Sequence, residues 1–373
     1  MTGAPPYGLG TLPPGIRARV VERVNGLAMH VLEAGFETAG RPVLLLLHGF
    51  PELAYSWRKL MLPLAAAGYH VVAPDQRGYG RTTGWDPGYD GDLDAFAQPN
   101  LVEDVAALLA ALGHGAVAAV IGHDFGASVA AWGALLRPEL FGAAVLMSAP
   151  FGGPPARGAP SRETLFEALG TLDPPRKHYQ DYYATRAADA DMRHAPQGIH
   201  AFLRGYFHYK SADWPGNRPF RLAGDTASEF AKMPTYYVMR RDQTMAETVA
   251  AEMPSAAEIA ACRWLPDAEL AVYAAEFART GFQGGLQWYR ARQGKYVAQL
   301  ARFAGRTIDV PACFIAGRSD WGVHQTPGAL ERMETTACTR WRGTHLVDGA
   351  GHWVQQEQPE AVIRLLLAFL RDA

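Results

Sequence analysis

The chain has 373 residues, 49% of them hydrophobic and 19% charged, with a formal net charge of -2. That near-neutral balance argues against nucleic acid or an anionic membrane as the main partner, and the length allows one large domain with an insertion, or two domains. Cys262, Cys313 and Cys338 are scattered, odd in number and free of any CxxC pattern, so neither a disulfide framework nor a zinc site is expected. With no apolar signal segment in Met1 to Gly15, and no aliphatic run longer than Val43 to Leu47, the expectation is a cytoplasmic protein without a membrane span.

Residues 1–16 read as a poorly ordered Pro/Gly-rich arm. Arg19 to Val24 and Leu27 to Glu33, split by Asn25-Gly26, have the pattern of a hairpin. Val43 to Leu47 is the continuous aliphatic run of a strand buried on both faces, and it ends in His48-Gly49-Phe50-Pro51-Glu52. Trp57 to Ala67 predicts a helix. His70 to Ala73 predicts a strand running into Asp75-Gln76-Arg77-Gly78-Tyr79-Gly80. A loop with Asp86, Asp90, Asp92 and Asp94 lacks the calcium-loop spacing and reads as a solvated turn. Leu101 to Leu112 predicts a helix with Asn100 as N-cap. Ala116 to Ile121 is a further buried strand, followed by Gly122-His123-Asp124-Phe125-Gly126 and a small-residue helix from Ala127 to Leu136. Ala143 to Met147 is another strand. From Phe151 to about Thr307 the chain is rich in Tyr, Trp, Arg and Met, its apolar spacing is helical, and no clean strand alternation is visible. Ala312 to Ala316 resumes the strand pattern and ends at Gly317-Arg318-Ser319-Asp320. His345 to Val347 leads to Gly351-His352-Trp353, and Pro359 to Leu370 closes the chain as an amphipathic helix. Alternating strands and helices give an α/β fold: a mostly parallel sheet with helices on both faces. Its core spans 17–150 and 308–373, and a mainly helical lid is inserted over 151–307.

The chemistry concentrates at predicted strand ends, where open parallel sheets build their sites. A strand, a tight Gly-x-x-x-Gly turn and a helix are the setting of a nucleophile elbow, and Asp124 occupies its centre. A carboxylate is already ionised near neutral pH and needs no base to attack an alkyl carbon. Asp320 and His352 follow in the nucleophile–acid–histidine order of α/β-hydrolase triads. His352 can take a proton from water, and Asp320 can fix its tautomer; Asp348 is the rival acid. The loop after the Val43 strand supplies one oxyanion-hole N–H, at Phe50, and the residue after the nucleophile, Phe125, supplies the second. His48 and His123 read as structural histidines. Ser128 lies in the helix, not at the elbow. His194, His200 and His208 lack the spacing of helical metal ligands, so no metal and no cofactor are expected.

The set His48-Gly49-Phe50-Pro51-Glu52 with Tyr55-Ser56-Trp57-Arg58, Asp75 to Gly80, Gly122 to Gly126, and Gly351-His352-Trp353-Val354-Gln355-Gln356-Glu357 resembles the epoxide-hydrolase branch of the α/β-hydrolase superfamily. The resemblance covers nearly the whole chain beyond the arm. It implies two lid tyrosines that hold an epoxide oxygen. One matches Tyr179-Gln180-Asp181-Tyr182; the other matches Gly281-Phe282-Gln283-Gly284-Gly285-Leu286-Gln287-Trp288-Tyr289-Arg290. Tyr179 and Tyr289 are the carried-over pair, with Tyr182, Tyr183, Tyr236 and Tyr237 as rivals. Pro51, Trp288 and Trp353, inside the matched motifs, are expected at the substrate. The chain departs from the family at Phe125, where a tryptophan is usual, and at Gln287, where an asparagine is usual.

The expected reaction is hydrolysis of an apolar epoxide to a diol, with a small molecule and water as the partners, through an ester on Asp124. A haloalkane or haloacid dehalogenase would use the same three groups, but the Phe125 side chain offers a departing halide neither an indole N–H nor a guanidinium. A non-catalytic ligand-binding protein on this fold is the alternative from another class. The particular epoxide and the oligomeric state, a homodimer included, are not readable from sequence.

Overall fold

The computed structural model describes residues 7–8, 10–158 and 163–373. The arm expected over 1–16 lies in part outside the described residues, and Ile16 already belongs to the first strand. The strands among the described residues are β1 (Ile16–Val24), β2 (Leu27–Ala34), β3 (Val43–Leu47), β4 (His70–Pro74), β5 (Ala119–His123), β6 (Ala144–Met147), β7 (Arg176–His178), β8 (Val238–Arg240), β9 (Ala312–Gly317) and β10 (Trp341–Val347). Eight of them form one sheet in the order β1-β2-β4-β3-β5-β6-β9-β10. The β1–β2 hairpin and the β2–β4 pair are antiparallel; every other neighbour is parallel. This is the α/β-hydrolase arrangement.

Helices α1 (Arg58–Ala66), α2 (Gln98–Ala111) and α3 (Phe125–Leu136) belong to the first part of the core. Short helix α4 (Tyr179–Tyr183), α5 (Ile199–Lys210), α6 (Asp267–Thr280) and α7 (Gln283–Arg290) lie in the stretch between β6 and β9, and α8 (Pro359–Asp372) closes the chain. The sheet explains the apolar runs. Leu44 and Leu46 of β3 join Ile121 and Val145 in a layer with Leu60 and Leu64 of α1 and Leu366 and Phe369 of α8. Leu45 and Leu47 point the other way, with Val72, Val120 and Leu146, onto Leu108 of α2 and Trp132 of α3. Both faces are therefore dry, which is why β3 shows no polar alternation.

Three local expectations change. The helix expected from Leu101 starts at Gln98, with Ala97 as N-cap and a proline in its first turn. Proline costs little there, since its missing N–H would have had no helical partner. Asn100 is not the cap; its Nδ2 donates to the Ala95 carbonyl at 2.6 Å. The helix expected over Trp57 to Ala67 is α1, one residue shorter at each end, and Trp57 instead closes a 3-10 turn, Ala54–Trp57, that leads into it. The inserted stretch carries a small antiparallel ladder, β7 with β8, pairing Arg176 with Arg240 and His178 with Val238. Three residues per strand are too few to leave a period-two pattern.

One buried ion pair ties β4 to the helical layer. Arg77 forks onto Asp104 of α2 at 2.8 and 2.7 Å and also donates to the Asn25 carbonyl. Among the described residues no helix is long and apolar enough to cross a membrane.

Candidate active site

β5 ends at His123 and α3 begins at Phe125, so Asp124 makes the whole turn alone, at φ 52° and ψ −114°. A non-glycine residue held there costs on the order of 1–3 kcal/mol, so the surroundings must enforce it. The glycines show how. A Cβ on Gly122 would collide with the Gly126 carbonyl, one on Gly126 with the Leu47 carbonyl, and one on Gly49 with Asp124 itself. The three backbones pack too closely for side chains, and Asp124 is left as the group that projects. Its Oδ1 accepts from the Phe50 N–H at 3.0 Å. The Phe125 amide opens α3, at the positive end of the helix dipole.

Loops after β9 and β10 bring the other two groups in. His352 Nδ1 lies 3.1 and 3.2 Å from the Asp320 carboxylate, and its Nε2 lies 3.6 Å from Asp124 Oδ2. The Nε2 is buried and makes no hydrogen bond. With Nδ1–H donated to Asp320, the Nε2 lone pair faces Asp124. Asp320 is itself steadied by the Gly322 N–H at 2.7 Å. The rival Asp348 is exposed and pairs with Arg318. Burial pushes the Asp124 carboxyl up, but His352, Lys210 and His123 outweigh it and hold the group well below the usual carboxylate range. Asp320 is likewise held low against burial, by His352, the Gly322 amide and Lys210.

The histidine loop is bound from behind. The His352 carbonyl accepts from His123 Nε2 at 2.7 Å and from Ser148 Oγ at 3.0 Å. His123 Nδ1 meets Glu52 at 2.6 Å, and Glu52 also accepts from Gln355 and Gln356. Glu52 is held low against burial by His123, and Glu52 in turn raises His123 against burial; the pair is ionic. His48 bridges loops, accepting from the Gln76 N–H at 3.1 Å. The end of α5 completes the mounting: the His352 N–H donates to the Lys210 carbonyl at 2.9 Å. Glu357 accepts from the amides of Ala212, Gly351 and Trp353 at 2.8, 2.9 and 2.9 Å.

Aromatic rings from the stretch between β6 and β9 gather against Phe125, the residue after Asp124. Tyr289 stands 4.6 Å from Phe125, 4.9 Å from Tyr183 and 5.8 Å from Tyr179, ring centre to ring centre. The Tyr179 hydroxyl donates to Gln325 at 3.1 Å and accepts from Gln180 at 3.0 Å. Of the other tyrosines in this stretch, Tyr182 turns to Asp191 and Tyr236 to Asn217. Among the described residues the buried Tyr237 hydroxyl finds no hydrogen-bond partner; the Tyr183 hydroxyl faces Tyr206. Burial pushes the phenols of Tyr183, Tyr237 and Tyr289 well above their ordinary range, so they stay neutral donors. Trp288 lies behind Phe125 at 5.4 Å, its indole N–H given to the Arg77 carbonyl. Trp353 sits edge-on to His352 and donates to the Phe207 carbonyl. Pro51, buried, follows Phe50 in the same loop.

Lys210, Glu357 and Glu52, which mount the histidine loop, were not among the residues that sequence singled out. Glu52 stands inside a quoted motif, so position could have flagged it. Lys210 ends an aromatic helix, where a lysine reads as an ordinary solvated terminus.

A parallel sheet with these loops gathered at its strand ends defines an α/β hydrolase, and residues 42–359 match the family model described as alpha/beta hydrolase fold. The chain belongs to that family. Epoxide hydrolase B of Mycobacterium tuberculosis is 35% identical over 352 residues, which span 93% of this chain and 96% of that protein. Among solved structures, an epoxide hydrolase from an endophytic Streptomyces matches with a TM-score of 0.77 at 31% identity, covering 96% of both chains. Potato (Solanum tuberosum) epoxide hydrolase I matches at 0.74 and 31% identity, covering 96% of this chain and 100% of its own. Within the α/β hydrolases, the chain belongs to the epoxide-hydrolase family.

Proposed function

We propose that this chain hydrolyses an epoxide to a vicinal diol in two half-reactions that share Asp124. An epoxide has a strained C–O bond but a basic, poor leaving oxygen. Asp124 attacks a ring carbon, the C–O bond breaks, and an alkyl ester forms. Tyr179 and Tyr289 hydrogen-bond the ring oxygen, and one of them gives its proton to the new alkoxide. Tyr179 must release Gln325 to do so. Water then adds to the ester carbonyl while His352 Nε2 takes its proton and Asp320 stabilises the imidazolium. The amides of Phe50 and Phe125 hold the oxyanion; as it collapses the ester C–O bond breaks, and the departing alkoxide takes the remaining water proton from the new carboxyl group, so that the diol leaves and Asp124 is a carboxylate again. The imidazolium proton finally returns to the phenolate. The helices of 151–307 act as the cap that excludes water, and Pro51, Trp288 and Trp353 shape the site from its rim and from behind its first layer.

The observation that supports this reading best is the Asp124 carboxylate itself. It is held at a positive φ against the Phe50 amide, 3.6 Å from an imidazole nitrogen that has no other partner. Its relatives' names give the substrate class. The Phe125 side chain carries no N–H for a halide, which disfavours dehalogenation. The test is a single turnover in oxygen-18 water with styrene-type and aliphatic epoxides. The label should enter the Asp124 carboxylate and not the first diol released. Label found in the first diol would mean direct attack by water and would sink the proposal.

A further inference from the structure

We propose that Gln325 is a positioning residue for ring opening: its amide oxygen takes the Tyr179 proton and yields it only to an epoxide oxygen that is becoming an alkoxide. The inference rests on the mechanism above and adds a residue to it. Tyr179 is buried. Its hydroxyl stands between two amides: it donates to Gln325 Oε1 at 3.1 Å and accepts from Gln180 Nε2 at 3.0 Å. A hydroxyl has one proton, so a Tyr179 that donates to Gln325 cannot donate to a second oxygen. The partner phenol is placed differently. The Tyr289 ring centre is 5.8 Å from that of Tyr179, and among the described residues its hydroxyl makes no hydrogen bond. Gln325 is anchored to the triad. It follows the 3-10 turn Trp321–Val323, which Asp320 caps through the Gly322 N–H at 2.7 Å. The His324 N–H closes that turn onto the Trp321 carbonyl at 3.0 Å. One loop thus carries both the acid behind His352 and the amide that meets Tyr179.

The order of acceptor strengths gives this contact its effect. An amide oxygen accepts a hydrogen bond more strongly than a neutral epoxide oxygen does, and an alkoxide accepts more strongly than either. A neutral epoxide is therefore held by Tyr289, while Tyr179 stays with Gln325. As Asp124 attacks and the ring C–O bond breaks, negative charge builds on the oxygen. The Tyr179 O–H then turns from the amide to that oxygen. Its hydrogen bond is made in the transition state and not in the ground state, and only such a bond speeds the chemical step. Gln180 goes on donating to the phenol oxygen throughout and stabilises charge that develops there.

The test compares Gln325→Met, which has no acceptor, with Gln325→Glu, which has a stronger one. Each is made in the wild type and in a Tyr179→Phe background. Single turnovers of a styrene-type epoxide give its dissociation constant, the saturating rate of ring opening and the rate of ester hydrolysis. In Gln325→Met the released hydroxyl binds the neutral epoxide, so the dissociation constant should tighten about fivefold, with the saturating rate changed less than about threefold. In Gln325→Glu the carboxylate holds the proton more firmly, so the saturating rate should fall about tenfold while binding hardly changes. Ester hydrolysis should keep the wild-type rate in both. Without the Tyr179 hydroxyl both substitutions should be silent. Binding that weakens in Gln325→Met, or a saturating rate that falls equally in the two variants, overturns the proposal, because Gln325 would then serve packing alone. Effects that persist in the Tyr179→Phe background overturn it as well. If the methionine variant does not fold, Gln325→Leu takes its place in the same comparison. Trapped ester in the wild type reports on the mechanism independently. Its absence overturns both readings, whereas its presence with Gln325 variants that behave as wild type overturns only the role of Gln325.

Discussion

Gly351 offers a way to displace the histidine without touching a reacting group. A Cβ there would lie 2.5 Å from the Ser211 carbonyl carbon, 2.6 Å from the Ala212 nitrogen and 2.6 Å from the Lys210 oxygen. All three are backbone atoms, so no side chain can swing aside. Ordinary contact begins near 3.4 Å, and 3.4 − 2.5 leaves 0.9 Å by which the His352 loop and the end of α5 must part. Overpacking of this kind costs about 1–3 kcal/mol, or several degrees in Tm. The consequence for catalysis is selective. Asp124 and the Phe50 amide are on the other side of the site and should hardly move, whereas His352 loses the Lys210 carbonyl and its aim. A displacement near 1 Å can cost about 10²-fold in a positioned step. Gly351→Ala should therefore open an epoxide at nearly the wild-type rate and hydrolyse the ester about 10²-fold more slowly, so that the ester accumulates. Stopped-flow ring opening and quenched-flow ester decay measure the two steps. Equal losses in both, or an unchanged ester lifetime, would refute the argument.

Other perturbations have separable outcomes. His352→Ala should release less than one diol per site and leave Asp124 esterified, since general-base assistance is worth about 10²–10⁴-fold; mass spectrometry of the intact chain reads the adduct. Tyr289→Phe and Tyr179→Phe should each slow ring opening, by about tenfold or more, and leave ester hydrolysis unchanged in the same single-turnover assay. Arg77→Met leaves the buried Asp104 carboxylate without its cation and with Asn25 as its side-chain donor, and should cost about 3–5 kcal/mol in denaturant unfolding.

How much was legible depends on where each residue's environment comes from. β3 and β9 are buried on both faces, so burial itself wrote continuous apolar runs, and their ends could be read to within a residue. β10 is the edge strand; only its last part, His345 to Val347, stood out, because the half-exposed start at Trp341 carries mixed residues. Asp124 and Asp320 could be picked out because each lies just past a strand buried on both faces, and His352 because it lies in the loop after the apolar end of β10. The start of α2 was not, because Asn100 has the chemistry of a cap and Ala97 does not. The residues of the inserted stretch were harder still. Lys210 meets His352 across 142 positions only because α5 docks on the histidine loop, and no local pattern announces that contact. Tyr183 and Tyr237 differ from Tyr182 and Tyr236 only in what their hydroxyls find, which packing decides.

Glu357 makes that docking pH-dependent. Its carboxyl takes the amides of Gly351 and Trp353 on one side and Ala212 on the other, and so joins the histidine loop to the residue two past α5. Burial pushes its pKa up to about 8 despite those three donors. An unfolded glutamate titrates near 4.3, so the folded chain binds this proton more tightly. The stability it contributes is full below about pH 4 and is lost as pH rises toward 8, by on the order of several kcal/mol for a group so enclosed. Carboxyls with lowered values act in the opposite sense and in another window: Asp75, buried, brought down to about 2 against desolvation by His30 and His48, contributes above pH 4 and fails only in acid. Between pH 5.5 and 8.5 the two effects therefore do not overlap. Glu357→Gln removes the titration while keeping the shape. Urea unfolding across that range should show wild-type stability falling relative to the variant as pH rises. Parallel curves would mean that Glu357 is ionised throughout, and that the three amides, not burial, set its charge.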